Sequence, residues 1–467
     1  MGLALRQTEL FEPDLYLRNT RGNAYFALLN STPGSGYKRQ RSYPVDVMAQ
    51  VISSVHANPD GRDWWVSQAE FFAPTRRLVH LSRIGLLYAD LDTYNLNLSG
   101  SPEALSKRLL RHCQQQDLPA PSLIIYSGRG LQCKWLLTTP LPQSALPRWN
   151  AVQQVLNSLL MDFGADSNAL DASRVLRLVQ TVNTKSGERV RVLHDDSDAR
   201  YDFDLLAKKL LPFDRDVGEK FDHLSIGIDA FGQVYLDMER SQEPAAETIV
   251  WRDHRGEKNT IGLKQFFGFQ LAWDRLADLR ALAALRKTGT GAVPDGQRDK
   301  FVFLSAVFLS QAMLDRNRIY DELKALGREF VPHWSWHQVM GSASSALDRL
   351  KDHIDGKSVM FDGRPVPPRY RFRNATLVSD AWLGIDASEE RELRTIISST
   401  EAKRRDAERA RAKRVALGVM TRQEFVDCKE QKRISGRLMR ASGASWAEVA
   451  MKLGYSSPDS ARTAIGR

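Results

Sequence analysis

Ile84-Gly85-Leu86-Leu87-Tyr88-Ala89-Asp90-Leu91-Asp92 is an apolar run that ends in two aspartates two positions apart. The pattern predicts a buried strand. The two-residue period of a strand then puts Asp90 and Asp92 on one face. Carboxylates that close repel, so a cation is their natural partner, and Mg²⁺ takes a few carboxylates together with substrate phosphates. Working outward, Trp64-Trp65-Val66, residues 122–126, 134–137 and 190–193 read as further strands. Residues 101–116, 147–163 and 203–211 have helical spacing, the first opening on Ser101-Pro102-Glu103, a cap with proline in the first turn. Strands alternating with helices predict an α/β or α+β layer fold.

Two more stretches carry chemistry. Tyr126-Ser127-Gly128-Arg129-Gly130-Leu131-Gln132-Cys133-Lys134-Trp135 reads as a glycine-rich hairpin turn between strands. Its glycines let backbone approach a ligand, and its amides, Ser127 and Arg129 can donate to phosphate oxygens. Gln132 and Lys134 share one strand face beyond it. Leu170-Asp171-Ala172-Ser173-Arg174-Val175-Leu176-Arg177-Leu178, followed by Thr181-Val182-Asn183-Thr184-Lys185, adds a carboxylate, two arginines, an amide and a lysine. That set suits a third metal ligand beside anion-binding groups, with Asp166 a competing carboxylate five residues earlier. Each stretch also has a plainer reading: a strand end, a hairpin, an ion-paired loop.

Taken in order, D-L-D on a strand, S-G-R-G-L-Q-x-K-W, and L-D-x-S-R-V-L-R-L with T-x-N-x-K resemble the archaeo-eukaryotic primase superfamily, in particular the primase-polymerases of plasmids and mobile elements. The resemblance covers residues 60–195. It implies an RRM-like α+β catalytic core with an N-terminal α/β extension, and two-metal nucleotidyl transfer that makes primers on a single-stranded DNA template from nucleoside triphosphates. Under it Asp90, Asp92 and Asp171 hold two Mg²⁺ or Mn²⁺ ions. Ser127, Arg129 and Gln132 face the triphosphate with Lys134 nearby, Arg174 and Arg177 are phosphate or template contacts, and Asn183 and Lys185 belong to the same nucleotide-binding set. Two positions depart from the pattern: Gln132 stands where the superfamily has histidine, and Val179-Gln180 where relatives show Pro-Gly. Gln132 sustains a second reading, a non-catalytic origin-binding initiator with a degenerate primase fold.

The domain expectation is a catalytic region over 1–215, a connector over 216–260, a helical domain over 261–370 and a basic helix with a helix-turn-helix over 389–467. Charge supports the last. The chain has 66 Lys and Arg against 56 Asp and Glu, a net of +10, and the stretch from Lys403 onward holds nearly all of the excess. A basic tail on a near-neutral body predicts a nucleic-acid-binding appendage, here for duplex origin DNA. A long charged helix is expected from Glu389 through Arg414, with Arg404 and Arg405 lying along phosphates. Ser445 and Glu448 make a capping box, Trp446, Val449, Ala450 and Leu453 form one stripe, and Gly454 ends the helix. The next helix would present Arg462, Thr463 and Arg467 to the major groove.

Exclusions complete the reading. Cys113, Cys133 and Cys428 are too far apart for a disulfide framework and fit a reducing cytoplasm. No run of ~18 apolar residues predicts a membrane span. No G-x-x-x-x-G-K-[ST] loop is present, so a replicative helicase would come from a separate partner.

Overall fold

The structure is a computed structural model of the 467-residue chain. It describes residues 12–18, 23–58, 60–96, 100–166, 169–211, 263–287, 291–313, 316–361, 363–417 and 422–466, with four short strands between 226 and 261. The chain forms two compact units, residues 1–384 with 392–396, and residues 385–391 with 397–467.

The first unit is built on a nine-stranded sheet. Its strands are β1 (Tyr25–Ser31), β2 (Arg39–Pro44), β3 (Asp63–Ser67), β4 (Ala69–Phe71), β5 (Leu81–Leu91), β6 (Leu123–Tyr126), β7 (Leu131–Pro142), β8 (Val175–Arg177) and β9 (Arg191–Asp195). The order is β9-β6-β7-β5-β4-β1-β3-β8, with β2 paired to β1 and every pairing antiparallel. Helix α1 spans Met48–Ala57, α2 spans Pro102–Gln115 and α3 spans Leu146–Ser158. The succession β5-α2-β6-β7-α3 with β6-β7-β5 adjacent is the RRM-like α+β core, and β1 to β4 with α1 form the N-terminal extension. Ser101 caps α2 by accepting from Ala104 N at 3.2 Å.

The central strand explains itself. Leu86, Leu87, Tyr88, Ala89 and Leu91 are all buried, so β5 is covered on both faces and reads as a continuous apolar run. Past Ile84 its outer edge has lost β4. Buried backbone groups left unpaired there would be costly. Helix α3 supplies the partners. Trp149 Nε1 donates to Leu86 O at 2.9 Å, Gln153 accepts from Tyr88 N at 3.2 Å, and Gln153 also donates to Tyr88 O. At the strand end residues 164–166 take over, with Asp92 N donating to Gly164 O and Asp166 N to Asp90 O, each at 2.8 Å.

The helical part of this unit comprises α4 (Phe203–Leu210), α5 (Leu263–Arg286), α6 (Arg298–Ala312), α7 (Arg316–Phe330) and α8 (Trp336–Ile354). Helix α6 is apolar nearly all round and buried, as an internal helix should be. Helix α7 docks against the loop that precedes β5. Glu322 accepts from Leu78 N at 3.0 Å and Val79 N at 2.9 Å, and Arg77 pairs with Asp321 at 2.6 Å. In the stretch expected as a connector, Ile226–Ile228 pairs with Val234–Leu236 and Ile249–Arg252 with Lys258–Ile261; Gln233, expected in a strand there, lies outside the described residues.

The second unit has α9 (Ala387–Glu392), α10 (Ser399–Ala416), α11 (Arg422–Ala441), α12 (Trp446–Leu453) and α13 (Pro458–Gly466). The single helix expected from Glu389 through Arg414 is broken between α9 and α10. Asp278 accepts from the backbone N–H groups of Arg394, Thr395 and Ile396 at 2.8, 2.7 and 2.7 Å, and a carboxylate that gathers three successive amides holds that segment out of helix. Val449, Ala450, Ala461 and Ile465 form the core of α11 to α13, with Met439, Trp446, Leu453 and Tyr455 packed on it. Ser445 and Glu448 make the expected capping box, and Gly454 closes α12 at φ 71°. Among the described residues no helix is long and apolar enough to cross a membrane.

Candidate functional site

Asp90 and Asp92 stand at the end of β5. The β5–β7 register sets Gln132 opposite Asp90, and Gln132 Nε2 donates to Asp90 Oδ1 at 3.5 Å. The pairing of residues 164–166 with the open edge brings a second acid to the same place, Asp166. Arg174 lies between them, 3.1 Å from Asp166 Oδ2 and 3.9 Å from Asp90 Oδ2. Burial pushes the Asp90 carboxyl up to about 6; the Asp92 and Asp166 charges add to the rise, while Arg174 and Gln132 pull against it.

Asp171 is engaged elsewhere. Its carboxylate accepts from Ser173 N at 3.1 Å and from Ser173 Oγ at 2.5 Å, closing a turn, and from Arg318 of α7 at 3.2 Å. Asp166, not Asp171, is the carboxylate that shares Arg174 with Asp90. The reason is backbone pairing: residues 164–166 lie in register with the end of β5, which sets Asp166 beside Asp90.

The glycine-rich turn is tied down from both sides. Ser127 N and Oγ donate to Gly130 O at 2.9 and 3.1 Å, and Gly130 N donates back to Ser127 Oγ at 3.2 Å. Asn183 Nδ2 donates to Ser127 O at 2.9 Å, so Asn183 holds the turn. Gly128 sits at φ 90°, and a Cβ on Gly130 would collide with the Leu91 carbonyl oxygen beside Asp92. Arg129 is exposed, with its guanidinium 4.0 Å over the Tyr94 ring. Lys185 is exposed as well.

Two expected phosphate contacts are corrected. Lys134 is fully buried and paired with Glu12, with Tyr16 Oη 3.2 Å from its Nζ. An N-terminal turn covers that part of the strand face, so Lys134 anchors the turn instead of meeting a ligand. Arg177 pairs with Asp63 at 2.5 Å under the Trp65 ring, and Asp63 also accepts from Thr184 N and Oγ1; its guanidinium stitches β8 to β3. In their place the structure gathers cations that sequence reasoning missed. The Lys38 ammonium is pushed down by burial and by Arg174, Arg177, Lys185 and Arg76 around it. Arg76 donates to Gln40 and to the Ser173 carbonyl, and Arg318 reaches Asp171. They come from three separate segments, and no spacing in the sequence links them.

Among the described residues no group of three metal-ligating side chains stands ready for an ion. Asp90 and Asp92 still suit a divalent cation: the pair is buried enough to lift Asp90, Asp166 borders it, and Arg174 supplies the compensating charge in the meantime. Gln132 Oε1 is buried without a partner beside them.

In the second unit Arg462 and Thr463 are exposed on α13, while Arg467 lies outside the described residues. Arg404 is exposed and Arg405 half-buried, and both are ion-paired within the second unit. Glu401 accepts from both, Arg404 also pairs with Glu408, and Arg405 donates to the Glu390 carbonyl.

No family model matches the chain. It is 26% identical over 342 residues, 72% of its own length and 68% of the relative's, to a replication protein from Clostridium perfringens. The chain is a relative of replication proteins. That relative's name agrees with the replication role that the resemblance of this chain's motifs implies. Among solved structures, the chain is similar to the AEP domain of cyanophage S-2L primase-polymerase, with 16% identity over 44% of this chain and 97% of that chain and a TM-score of 0.33. It is similar to primase RepB′, with 13% identity over 74% of this chain and 98% of that chain and a TM-score of 0.31. The RepB′ catalytic domain in complex with initiator DNA superposes at a TM-score of 0.30, with 14% identity over 43% and 93% of the two chains. Superpositions at that level decide nothing about chemistry; the site geometry has to.

Proposed function

We propose that this chain is a replication primase-polymerase that joins nucleotides on a single-stranded DNA template. The observation that carries the reading is the meeting of Asp90, Asp92 and Asp166 at one end of β5, beside a braced glycine turn and a group of cations. In that reading a primer 3′-hydroxyl attacks the α-phosphate of a nucleoside triphosphate in line, and pyrophosphate leaves. Asp90 and Asp92, with Asp166 once Arg174 swings away, would hold Mg²⁺ or Mn²⁺, which when bound activates the attacking oxygen and offsets charge on the pyrophosphate. Arg129 and the turn amides hold the triphosphate, and Arg174, Lys185 and Lys38 face its charge. Gln132 keeps Asp90 oriented, and its unpartnered Oε1 is an acceptor for a substrate hydroxyl. The second unit, through Arg462 and Thr463 on α13, would bring the chain to duplex DNA at an origin, and a separate helicase would open it.

The test is primer synthesis on single-stranded circular DNA with labelled ribo- and deoxyribonucleotides and either metal. Short metal-dependent products, lost in Asp90→Ala and in Asp92→Ala, are expected. Retained synthesis in either variant would remove the assignment. A second reading, a non-catalytic origin-binding initiator, draws on Gln132 in place of histidine and on the finding that, among the described residues, no group of three side chains is arranged to hold an ion. It predicts no metal-dependent nucleotide binding from protein that still binds duplex DNA.

A further inference from the structure

A cleft of about 490 Å³ opens between the loop before β5 and the exposed side of α7. Arg76 and Arg77 line one wall, and Lys324 and Arg328 the other. Lys324 and Arg328 are exposed and four residues apart, so both project from one face of the helix. Against these four cations the lining has two carboxylates, Asp321 and Glu329. Both are already matched: Asp321 pairs with Arg77 at 2.6 Å, and Glu329 with Arg280 at 2.7 Å. The cleft is therefore positive on balance. It also has an apolar face, because Phe72 at its edge is 40% exposed, with the Arg280 guanidinium 4.2 Å from the ring. Beyond Lys324 lies Trp336, 38% exposed.

Side chains of the cleft lead toward Asp171 and Arg174. Arg76 lines it and donates to Ser173 O, next to Asp171. Arg318, one helical turn before Asp321 and nearly two before Lys324, reaches Asp171 at 3.2 Å. A path of cations thus runs from Arg174 through Arg76 and Arg318 to Lys324 and Arg328. A positive groove with an exposed ring is the arrangement that holds a single strand, cations tracking the backbone and the aromatic face stacking a base.

We propose that the cleft between the Phe72–His80 loop and α7 is a binding groove for single-stranded nucleic acid, with Lys324 and Arg328 on its phosphates and Phe72 against a base. It deepens the primase reading, giving the template a way to Asp90, but binding itself depends on no catalytic step. The experiment uses the full chain. Anisotropy of a labelled oligothymidine is titrated across salt for wild type, for Lys324→Glu/Arg328→Glu and for Phe72→Ala, with melting temperature as the check on folding. The double reversal is expected to weaken binding by roughly tenfold or more and to lower the slope of log affinity against log salt by about 1.4, two single-strand phosphate contacts. Photo-cross-linking of 5-iodo-deoxyuridine oligonucleotides is expected to mark Phe72. Unchanged affinity and slope in the folded reversal variant, or cross-links confined to residues 397–466, would overturn the proposal. So would a loss of nucleoside triphosphate binding by calorimetry with oligonucleotide affinity intact, which would make the cleft a mononucleotide pocket. Groove binding without any metal-dependent synthesis would overturn the primase reading alone.

Discussion

Asp90 carries a proton in the folded chain at pH values where an exposed aspartate does not. Its folded value is about 6, against about 3.9 for an unperturbed aspartate, so burial works against the folded state once the group ionises. The cost is fully present above pH about 6, shrinks as the pH falls through that value, and is gone below the unfolded value. Asp90→Asn should therefore stabilise the metal-free protein by about 2–3 kcal/mol at pH 8, with almost no gain near pH 4. Urea midpoints at the two pH values check this, and equal shifts at both would refute it. Mn²⁺ affinity of the wild-type chain should fall as pH drops below about 6, because ion and proton compete for Asp90. Lys134 makes the opposite kind of prediction. Lys134→Ala leaves the Glu12 carboxylate buried without a counter-charge, which should cost about 3–5 kcal/mol. Lys134→Met with Glu12→Gln should recover most of it. An exposed, phosphate-facing lysine would instead show little stability change on truncation.

At the scale of elements, the glycine turn is the part most sensitive to a single methyl group. Gly130→Ala drives a Cβ into the Leu91 carbonyl, which cannot move without shifting Asp92. The variant is expected to stay folded, with a lower melting temperature and weakened nucleotide binding. Normal binding at a normal melting temperature would show that the turn does not set Asp92. The capping box of α12 is a more ordinary feature: Ser445→Ala removes an acceptor for Glu448 N at 3.2 Å and should cost about 1 kcal/mol, read as earlier unfolding of residues 422–466 by hydrogen exchange. Both elements were legible from their own residues, since turn and cap chemistry are local. The break between α9 and α10 has only a local hint, the uncharged run Thr395-Ile396-Ile397-Ser398-Ser399-Thr400 of weak helix formers between two highly charged stretches. What stops the helix is Asp278, more than a hundred positions away in sequence.

Across the whole first unit, Glu322 couples the helical part to the nine-stranded sheet. It is buried, its carboxyl is pushed up by that burial, and it accepts from two backbone amides of the loop that enters β5. Glu322→Ala would leave both amides buried and unpaired, at about 1–3 kcal/mol each. The expected result is faster hydrogen exchange and proteolysis across residues 72–80 and along α7, with β5 to β7 protected as before. Uniform destabilisation of the unit would mean that the two parts do not separate. Glu322→Gln, which keeps an acceptor, should lie near wild type.

Local patterning was enough for β5 and its two aspartates, the glycine turn, the buried helices and the C-terminal capping box, because each rests on contacts within a few residues and on a short period of apolar positions. The order of three motifs also pointed to a primase-like family. Tertiary structure alone decided the rest: that Asp166 shares the edge with Asp90 while Asp171 faces Arg318, that Lys134 and Arg177 are locked in ion pairs with Glu12 and Asp63, and that Lys38, Arg76 and Lys185 converge on one place. Those outcomes depend on which distant segment fills an open strand edge and where each charge finds its partner. Such choices are made by packing between segments, and they leave no periodic trace along the chain.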